Sequence, residues 1–147
     1  MSDKSILATQ TFSNGYNCSQ SVLSVFAEDF GMKKDCCLRL ASPFGSGIAR
    51  RQETCGAVTG ALMVIGLKYG KGEHGLEADK ANAYKVSQQL IAKFKEIHLS
   101  INCMELLDNL SINSPEGMEE IQKRELFRCK CSKYVQDAVE IAESMLA

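Results

Sequence analysis

The sequence predicts an all-α fold, and three observations lead to that class. Apolar residues recur at helical spacing over most of the chain, no segment alternates as a half-buried strand does, and Gly or Pro breaks separate the periodic stretches. The length of 147 residues suits one globular domain with a single core. We therefore predict one compact single-domain bundle of about six or seven helices over residues 1–147.

The predicted helices follow from stripes of apolar residues and from the breaks between them. Val22, Phe26 and Phe30 mark an early helix, and the apolar window from 57 to 67 marks a buried helix that begins at Cys55. A longer stripe, at alternating three- and four-residue spacing, consists of Ala83, Val86, Leu90, Phe94, Ile97 and Ile101. The predicted boundaries are Asn14-Gly15, Gly31, 43–47, 70–75 and Ser114-Pro115.

Charge and hydropathy argue against several classes of protein. The chain carries 17 basic and 18 acidic residues, a net charge of −1, so no global field favours nucleic acid or an anionic membrane. The apolar window 57–67 is about half the length that spans a bilayer, so no membrane insertion is expected. The N-terminal segment lacks the apolar run and the cleavage pattern of a secretory signal. We therefore expect a cytoplasmic protein.

The chain is rich in cysteine. It contains seven, an odd number that cannot pair completely within one molecule. In a reducing compartment, such enrichment indicates metal binding or redox chemistry more often than a disulfide framework. The cysteines are therefore the first candidates for a functional site.

Three cysteines stand at predicted helix starts. Each directly follows a residue that commonly caps helices, in the pairs Asn17-Cys18, Thr54-Cys55 and Asn102-Cys103. Gln20 and Glu105 are placed to complete capping boxes with the two asparagines. Backbone N–H groups and the positive end of the helix dipole favour an anion at such positions. We therefore predict that these thiols have lowered pKa values and ionise readily.

Helical phase separates inward cysteines from outward ones. Cys18 and Cys103 lie in line with apolar residues of their helices, and Cys131 shares a stripe with Tyr134 and Val135. Cys129 falls on a polar face and is predicted to be peripheral. Cys37 is predicted to be interior, and Cys36 to lie nearer the boundary.

Gly56 and Gly60 leave one side of their helix almost without side chains. Glycine inside a helix costs about 1 kcal/mol relative to alanine, so a pair of them indicates a close approach of some other group. That group is either another helix or a bound cofactor. The preceding loop, Phe44 to Gly47, is flexible enough to fold over the same helix end and offer its amides.

Four stretches together resemble a known family. They are "NCSQSVL" at 17–23, "GSGIARRQETCGAVTGALMVIGLKYG" at 45–70, "INCMELL" at 101–107 and "CSKYV" at 131–135. In this order they resemble the C_GCAxxG_C_C family of small proteins, which are described as redox-active. The resemblance implies that Cys18, Cys55, Cys103 and Cys131 are the four shared cysteines of that family. It also implies proximity to transport genes in some genomes, and so a redox partner linked to a transport system.

Three functions fit these observations. The first is thiol–disulfide exchange or electron transfer by a possible thiol oxidoreductase, with Cys55 as the reactive thiolate and Cys18, Cys103 or Cys131 as its resolving partner. The second is a metal site in which the same four thiolates bind zinc or an iron–sulfur cluster. The third is a noncatalytic helical interaction module, for example a homodimer through the small-residue face, in which the cysteines only pack.

Other candidate residues receive simpler interpretations. His74 is predicted to be a solvated loop residue, and His98 a partly buried residue at the edge of its apolar stripe. Arg50 and Arg51 are predicted to be surface charges that would stabilise a Cys55 thiolate if they folded toward it. Cys18, Cys55, Cys103 and Cys131 are expected to converge near one end of the helix that starts at Cys55.

Overall fold

The computed structural model describes all 147 residues, and its regular elements are helical. The α-helices are α1 Asp3–Ser13, α2 Cys18–Ser24, α3 Lys34–Ala41, α4 Gly56–Tyr69, α5 Glu77–His98, α6 Cys103–Leu106, α7 Pro115–Lys123 and α8 Ser132–Leu146. The all-α class is therefore confirmed. The predicted count of six or seven is slightly low, because α6 has only four residues and cannot display a period of its own.

Helix α4 is the centre of the bundle. It packs against α2, α5 and α8, and α1 packs against α8 and α2. Val58, Ala61, Val64 and Ile65 of α4 are fully buried, as expected for a helix that is apolar on all sides. No helix combines the length and the apolar character that crossing a bilayer requires.

The glycine face of α4 is covered by α2. A Cβ atom built on Gly60 would lie 2.8 Å from the carbonyl oxygen of Ser19, and one built on Gly56 would lie 3.0 Å from the backbone nitrogen of Ser19. Side chains at these positions would hold the two helices apart. Another helix or a bound cofactor was expected to cover this face, and the structure places helix α2 there. A cofactor-binding role for Gly56 and Gly60 stays a prediction.

The stripe predicted on α5 is wrong at its C-terminal end. Leu90 and Phe94 are fully buried, but Ile97 is 54% exposed. His98 turns inward instead, and its Nε2 atom lies 2.8 Å from the Oδ2 atom of Asp137 on α8. An ion pair or hydrogen bond to this buried carboxylate orients the end of the helix, which apolar spacing alone cannot indicate.

Candidate thiol site

Four cysteines line one cavity of about 60 Å³. They are Cys18, Cys55, Cys103 and Cys131. The rest of its wall is mainly apolar and includes Phe12, Leu106, Leu107, Ile112, Phe127 and Tyr134. Cys36, Cys37 and Cys129 lie outside this wall. Cys37 is buried elsewhere and Cys129 is exposed, as their helical phase predicts, whereas Cys36, which was expected near the boundary, is exposed.

The first cysteine is fixed by the start of α2. Cys18 follows Asn17, whose side chain accepts a hydrogen bond from the backbone N–H of Gln20 at 2.9 Å. The Gln20 side chain accepts in turn from the N–H of Asn17 at 3.0 Å, which completes the predicted capping box. The Asn17 amide also donates to the carbonyl oxygen of Ser42 and so joins α2 to the turn after α3.

Cys55 and Cys103 are brought together by a short antiparallel contact between two connecting segments. Thr54 and Asn102 form an isolated bridge, the N–H of Cys55 donates to the carbonyl of Ile101 at 2.7 Å, and the N–H of Cys103 donates to the carbonyl of Glu53 at 2.6 Å. Residues one position before and after a bridged pair share a face of an antiparallel ladder. Cys55 and Cys103 are therefore diagonal neighbours on the same face.

This contact also corrects the predicted start of α4. Helix α4 begins at Gly56, Cys55 occupies the N-cap position, and Thr54 does not cap the helix. Thr54 is held in the bridge to Asn102 instead. A pairing with a segment nearly fifty residues away overrides the local capping preference of threonine.

The start of α6 is only half as predicted. Asn102 caps the helix by accepting from the N–H of Glu105 at 3.1 Å. Glu105 does not return a hydrogen bond to Asn102. The Ser100 hydroxyl takes its place, since it accepts from the N–H of Asn102 at 2.9 Å and donates to the Glu105 carboxylate at 3.3 Å.

The fourth cysteine lies where a π-helical turn meets the last helix. Residues Phe127–Cys131 form that turn, and Cys131 leads directly into α8. Cys131, Tyr134 and Val135 are buried, as their predicted stripe requires. π-Helical turns are frequent at functional sites because they rotate the side chains that follow. Here the turn precedes a cysteine of the cavity wall.

The thiols have raised pKa values, which overturns the prediction of readily ionised helix-start cysteines. Burial raises the pKa of Cys55 to about 12, although the backbone N–H groups of Ala57 and Val58 lower it. Burial also raises the pKa of Cys103 to about 12, with a further contribution from Cys131. The apolar wall withholds the water that a thiolate needs, and this cost exceeds the gain from the helix end.

Cys18 shows how closely the four thiols interact. Its pKa lies well above the ordinary value, first because of its interaction with the Cys131 side chain, then because of burial and of the negative charges that the other three thiols would carry. A second thiolate in so small a space would repel the first. The cavity therefore favours the neutral thiol at Cys18, Cys55 and Cys103.

The structure does not present a preformed metal centre. No group of three or more His, Cys, Asp or Glu side chains is arranged so that it could hold a metal ion. A structural zinc site needs four ligands at tetrahedral positions about 2.0–2.3 Å from the metal. The four thiols thus line one cavity, but they are not arranged as the ligands of a metal ion.

The sequence did not indicate an unusual turn beside the cavity. Residues 46–50 have φ angles between 50° and 70°, so five consecutive residues adopt the left-handed conformation, which is costly for every residue except glycine. Ser46 and Gly47 line the cavity. A Cβ atom on Gly47 would lie 2.7 Å from the Cβ of Cys103, so only glycine fits there. In the sequence, Gly47 was the only sign of this left-handed turn.

A buried glutamine holds this turn in place. The amide nitrogen of Gln52 donates to the carbonyl of Leu110 at 2.9 Å, and its side-chain oxygen accepts from the N–H of Ile112 at 2.8 Å. Both polar ends of a buried side chain are therefore satisfied. Sequence reasoning missed Gln52, since a single glutamine in a polar segment carries no periodic signal.

The remaining candidates lie outside the cavity wall. His74 is solvent-exposed in its loop, as predicted. His98 is partly buried, and its partner Asp137 also accepts from Lys133 at 2.8 Å. The rings of His98 and Tyr134 pack edge-on, with their centroids 4.8 Å apart. His98 therefore supports a residue of the cavity wall.

The two arginines before Cys55 are surface residues, as predicted. Arg51 pairs with Glu53 at 3.5 Å. Arg50 donates to the carbonyl of Ile112 at 3.2 Å. The partners of both arginines are oxygen atoms, not cysteine thiols.

Comparison with known proteins gives one family. The family model described as "Putative redox-active protein (C_GCAxxG_C_C)" matches residues 16–145 of the 147. The match includes all seven cysteines. No curated protein and no solved structure matches the chain.

Proposed function

The chain belongs to the C_GCAxxG_C_C family, whose members are described as redox-active, and on this basis we propose that it performs thiol–disulfide exchange. The observation that carries the proposal is the single cavity lined by Cys18, Cys55, Cys103 and Cys131. Thiols that are distant in sequence but adjacent in space can form a disulfide when the fold holds them within reach. Two of them would cycle between dithiol and disulfide.

Cys18 and Cys131 are the proposed exchanging pair. Both residues line the cavity, and the Cys131 side chain is the largest cause of the raised pKa of Cys18. Cys18 is also the one cavity cysteine that is partly exposed, whereas Cys55 is only 4% exposed. Accessibility therefore favours Cys18 over Cys55 as the attacking sulfur, with Cys131 as the resolving thiol.

The exchange balances with a disulfide as the oxidant. The Cys18 thiol loses its proton and its sulfur attacks one sulfur of R–S–S–R, which forms a mixed disulfide and releases one R–S⁻ that takes up a proton. The Cys131 thiol then displaces the second R–S⁻ in the same way. Two electrons and two protons pass from the protein to yield two R–SH. The reverse sequence would restore the dithiol.

The neutral state of the thiols bears on the direction of this exchange. A low thiol pKa stabilises the reduced form and makes a disulfide strongly oxidising. The raised pKa values of Cys18, Cys55 and Cys103 remove that stabilisation. We therefore expect a reducing potential, so that the protein donates electrons to its partner.

The test is thiol counting, disulfide mapping and metal analysis on one anaerobically purified sample. After mild oxidation the number of free thiols should fall by two from seven, and peptide mass spectrometry should show a Cys18–Cys131 disulfide. Cys18→Ser should abolish this fall in the number of free thiols. Cys129→Ser, at an exposed position outside the cavity, should leave the fall unchanged. Bound zinc or an iron–sulfur spectrum, or an unchanged thiol count, would contradict the proposal.

A further inference from the structure

A surface groove shares part of its wall with the thiol cavity. Three residues, Phe12, Ser46 and Phe127, line both the cavity and a wider groove of about 520 Å³. The other walls of the groove are Ser13, Arg50, Met118, Arg128 and Ser132. A space of this size lies within the range of small-molecule sites. The groove therefore lies directly beside the cavity that holds the four cysteines.

The groove is positively charged. Arg50 and Arg128 line it, and none of its lining residues is acidic. Arg128 is paired with Glu125 at 2.8 Å. Arg50 forms no ion pair; its only side-chain hydrogen bond is to the Ile112 carbonyl at 3.2 Å, which fixes the guanidinium but leaves its charge uncompensated. An arginine in this state favours a carboxylate.

The left-handed turn explains how Arg50 comes to lie here. Arg50 is the last of its five residues, and Ser46, at the other end, lies between groove and cavity. The Asn113 side chain donates to the Arg50 carbonyl at 2.8 Å and anchors the backbone from outside. A costly backbone conformation that places a cation beside a thiol cavity is typical of a binding site.

We propose that this groove binds the disulfide of a carboxylate-bearing low-molecular-weight thiol. The carboxylate pairs with Arg50, the carbon chain contacts Phe12, Met118 and Phe127, and the sulfur–sulfur bond enters the cavity between Phe12 and Phe127. The inference rests on the proposed function, since it names the R–S–S–R that Cys18 and Cys131 reduce. The products are two molecules of the carboxylate-bearing thiol and the protein disulfide.

Three disulfides of similar size and different charge test the proposal: 3,3′-dithiodipropionate, which is a dianion, 2-hydroxyethyl disulfide, which is neutral, and cystamine, which is a dication. The rate constant for oxidation of the reduced protein is measured with each at pH 7 and low salt. Each value is divided by the rate with an unstructured cysteine peptide, which cancels the leaving-group reactivity of the disulfide. The normalised rates should fall in the order anionic, neutral, cationic.

Arg50→Gln should lower the anionic-to-cationic rate ratio by roughly fivefold, as expected for an exposed ion pair, and added salt should do the same to the unmodified protein. Arg51→Gln is the matched control, because Arg51 is adjacent but does not line the groove; it should keep the ratio. A poorly folded variant would lose activity toward all three disulfides alike, so it would not change the anionic-to-cationic rate ratio.

The outcomes separate the two proposals. If the protein disulfide forms at normalised rates that do not depend on charge, or if Arg50→Gln leaves the ratio unchanged, the groove is not an anion site but thiol exchange stands. If no disulfide forms with any of the three oxidants, the proposed function fails and the groove proposal fails with it.

Discussion

Cys55 stands at the N-cap of a helix of 14 residues, where the N–H groups of Ala57 and Val58 favour its thiolate, yet its pKa rises to about 12. The reason is burial among apolar groups, which costs an anion more than two amides return. Cys103 shows the same result at the start of α6. A helix start therefore gives a net lowering of a thiol pKa only where burial costs the thiolate less than the helix end returns.

This difference should appear in the alkylation of single thiols. With a pKa of about 12, only about one Cys55 or Cys103 thiol in 10⁵ is ionised at pH 7. Iodoacetamide should therefore modify these two far more slowly than the exposed Cys36 and Cys129. Their rates should keep rising, about tenfold per pH unit, up to the highest pH at which the protein stays folded.

Peptide mass spectrometry of timed, quenched samples measures all of these rates together. The exposed cysteines serve as the internal control for the reagent, because solvent reaches both of them. Equal rates for Cys55 and Cys129 at pH 7 would show that the cavity thiol is neither buried nor neutral.

Packing between α2 and α4 sets the distance between Cys18 and the start of α4. The backbone of Ser19 meets α4 at Gly56 and Gly60, which have no side chain to hold it away. Cys18 directly precedes Ser19, so this contact draws the first thiol toward the second. The two glycines therefore allow the close contact between α2 and α4 that positions Cys18 in the cavity wall.

Two glycines of the same helix give a matched comparison. Gly60→Ala would place a Cβ 2.8 Å from a backbone oxygen of α2, and should destabilise the protein by about 2 kcal/mol through overpacking. Gly66→Ala meets no atom within 4 Å, and should stabilise it by roughly 0.5–1 kcal/mol through the higher helix propensity of alanine. Urea unfolding measures both changes. A Gly60→Ala variant as stable as the parent would show that α2 does not approach α4 so closely.

The raised thiol pKa values also make the stability of the whole protein depend on pH. The ordinary pKa of a cysteine thiol is 9.0, and folding raises it to about 12 at Cys55 and Cys103. Above pH 9 the unfolded chain releases these protons while the folded protein retains them, so unfolding becomes more favourable as pH rises. The contribution is complete below pH 9 and is lost as pH rises toward 12.

The free energy of unfolding should therefore fall between pH 9 and pH 11, with each of the two thiols adding up to about 1.4 kcal/mol per pH unit to the slope. Urea titrations of the reduced protein at several pH values measure it. Cys55→Ser removes one ionisable group and should give a shallower slope, whereas Cys36→Ser, at an exposed position, should not. A parent and a Cys55→Ser variant with the same slope would refute the assignment.

The sequence was informative wherever a feature depended on near neighbours along the chain. The Asn17 capping box, the burial of Cys131 and the outward position of Cys129 all follow from spacings of three or four residues. The prediction failed at Thr54, which pairs with Asn102, and at Ile97, where His98 turns inward toward Asp137. Both failures come from partners about forty or more residues away.

By itself, then, the sequence determined the all-α class, the small-residue face of α4 and the family to which the chain belongs. Only the tertiary structure decided that these cysteines line one cavity, that the pKa values of Cys18, Cys55 and Cys103 rise, and that a left-handed turn carries Arg50 to the neighbouring groove. Helical periodicity is local, because hydrogen bonds and side-chain contacts four residues apart produce it. Burial and proximity across the chain depend on how the helices pack, and no spacing along the sequence encodes them.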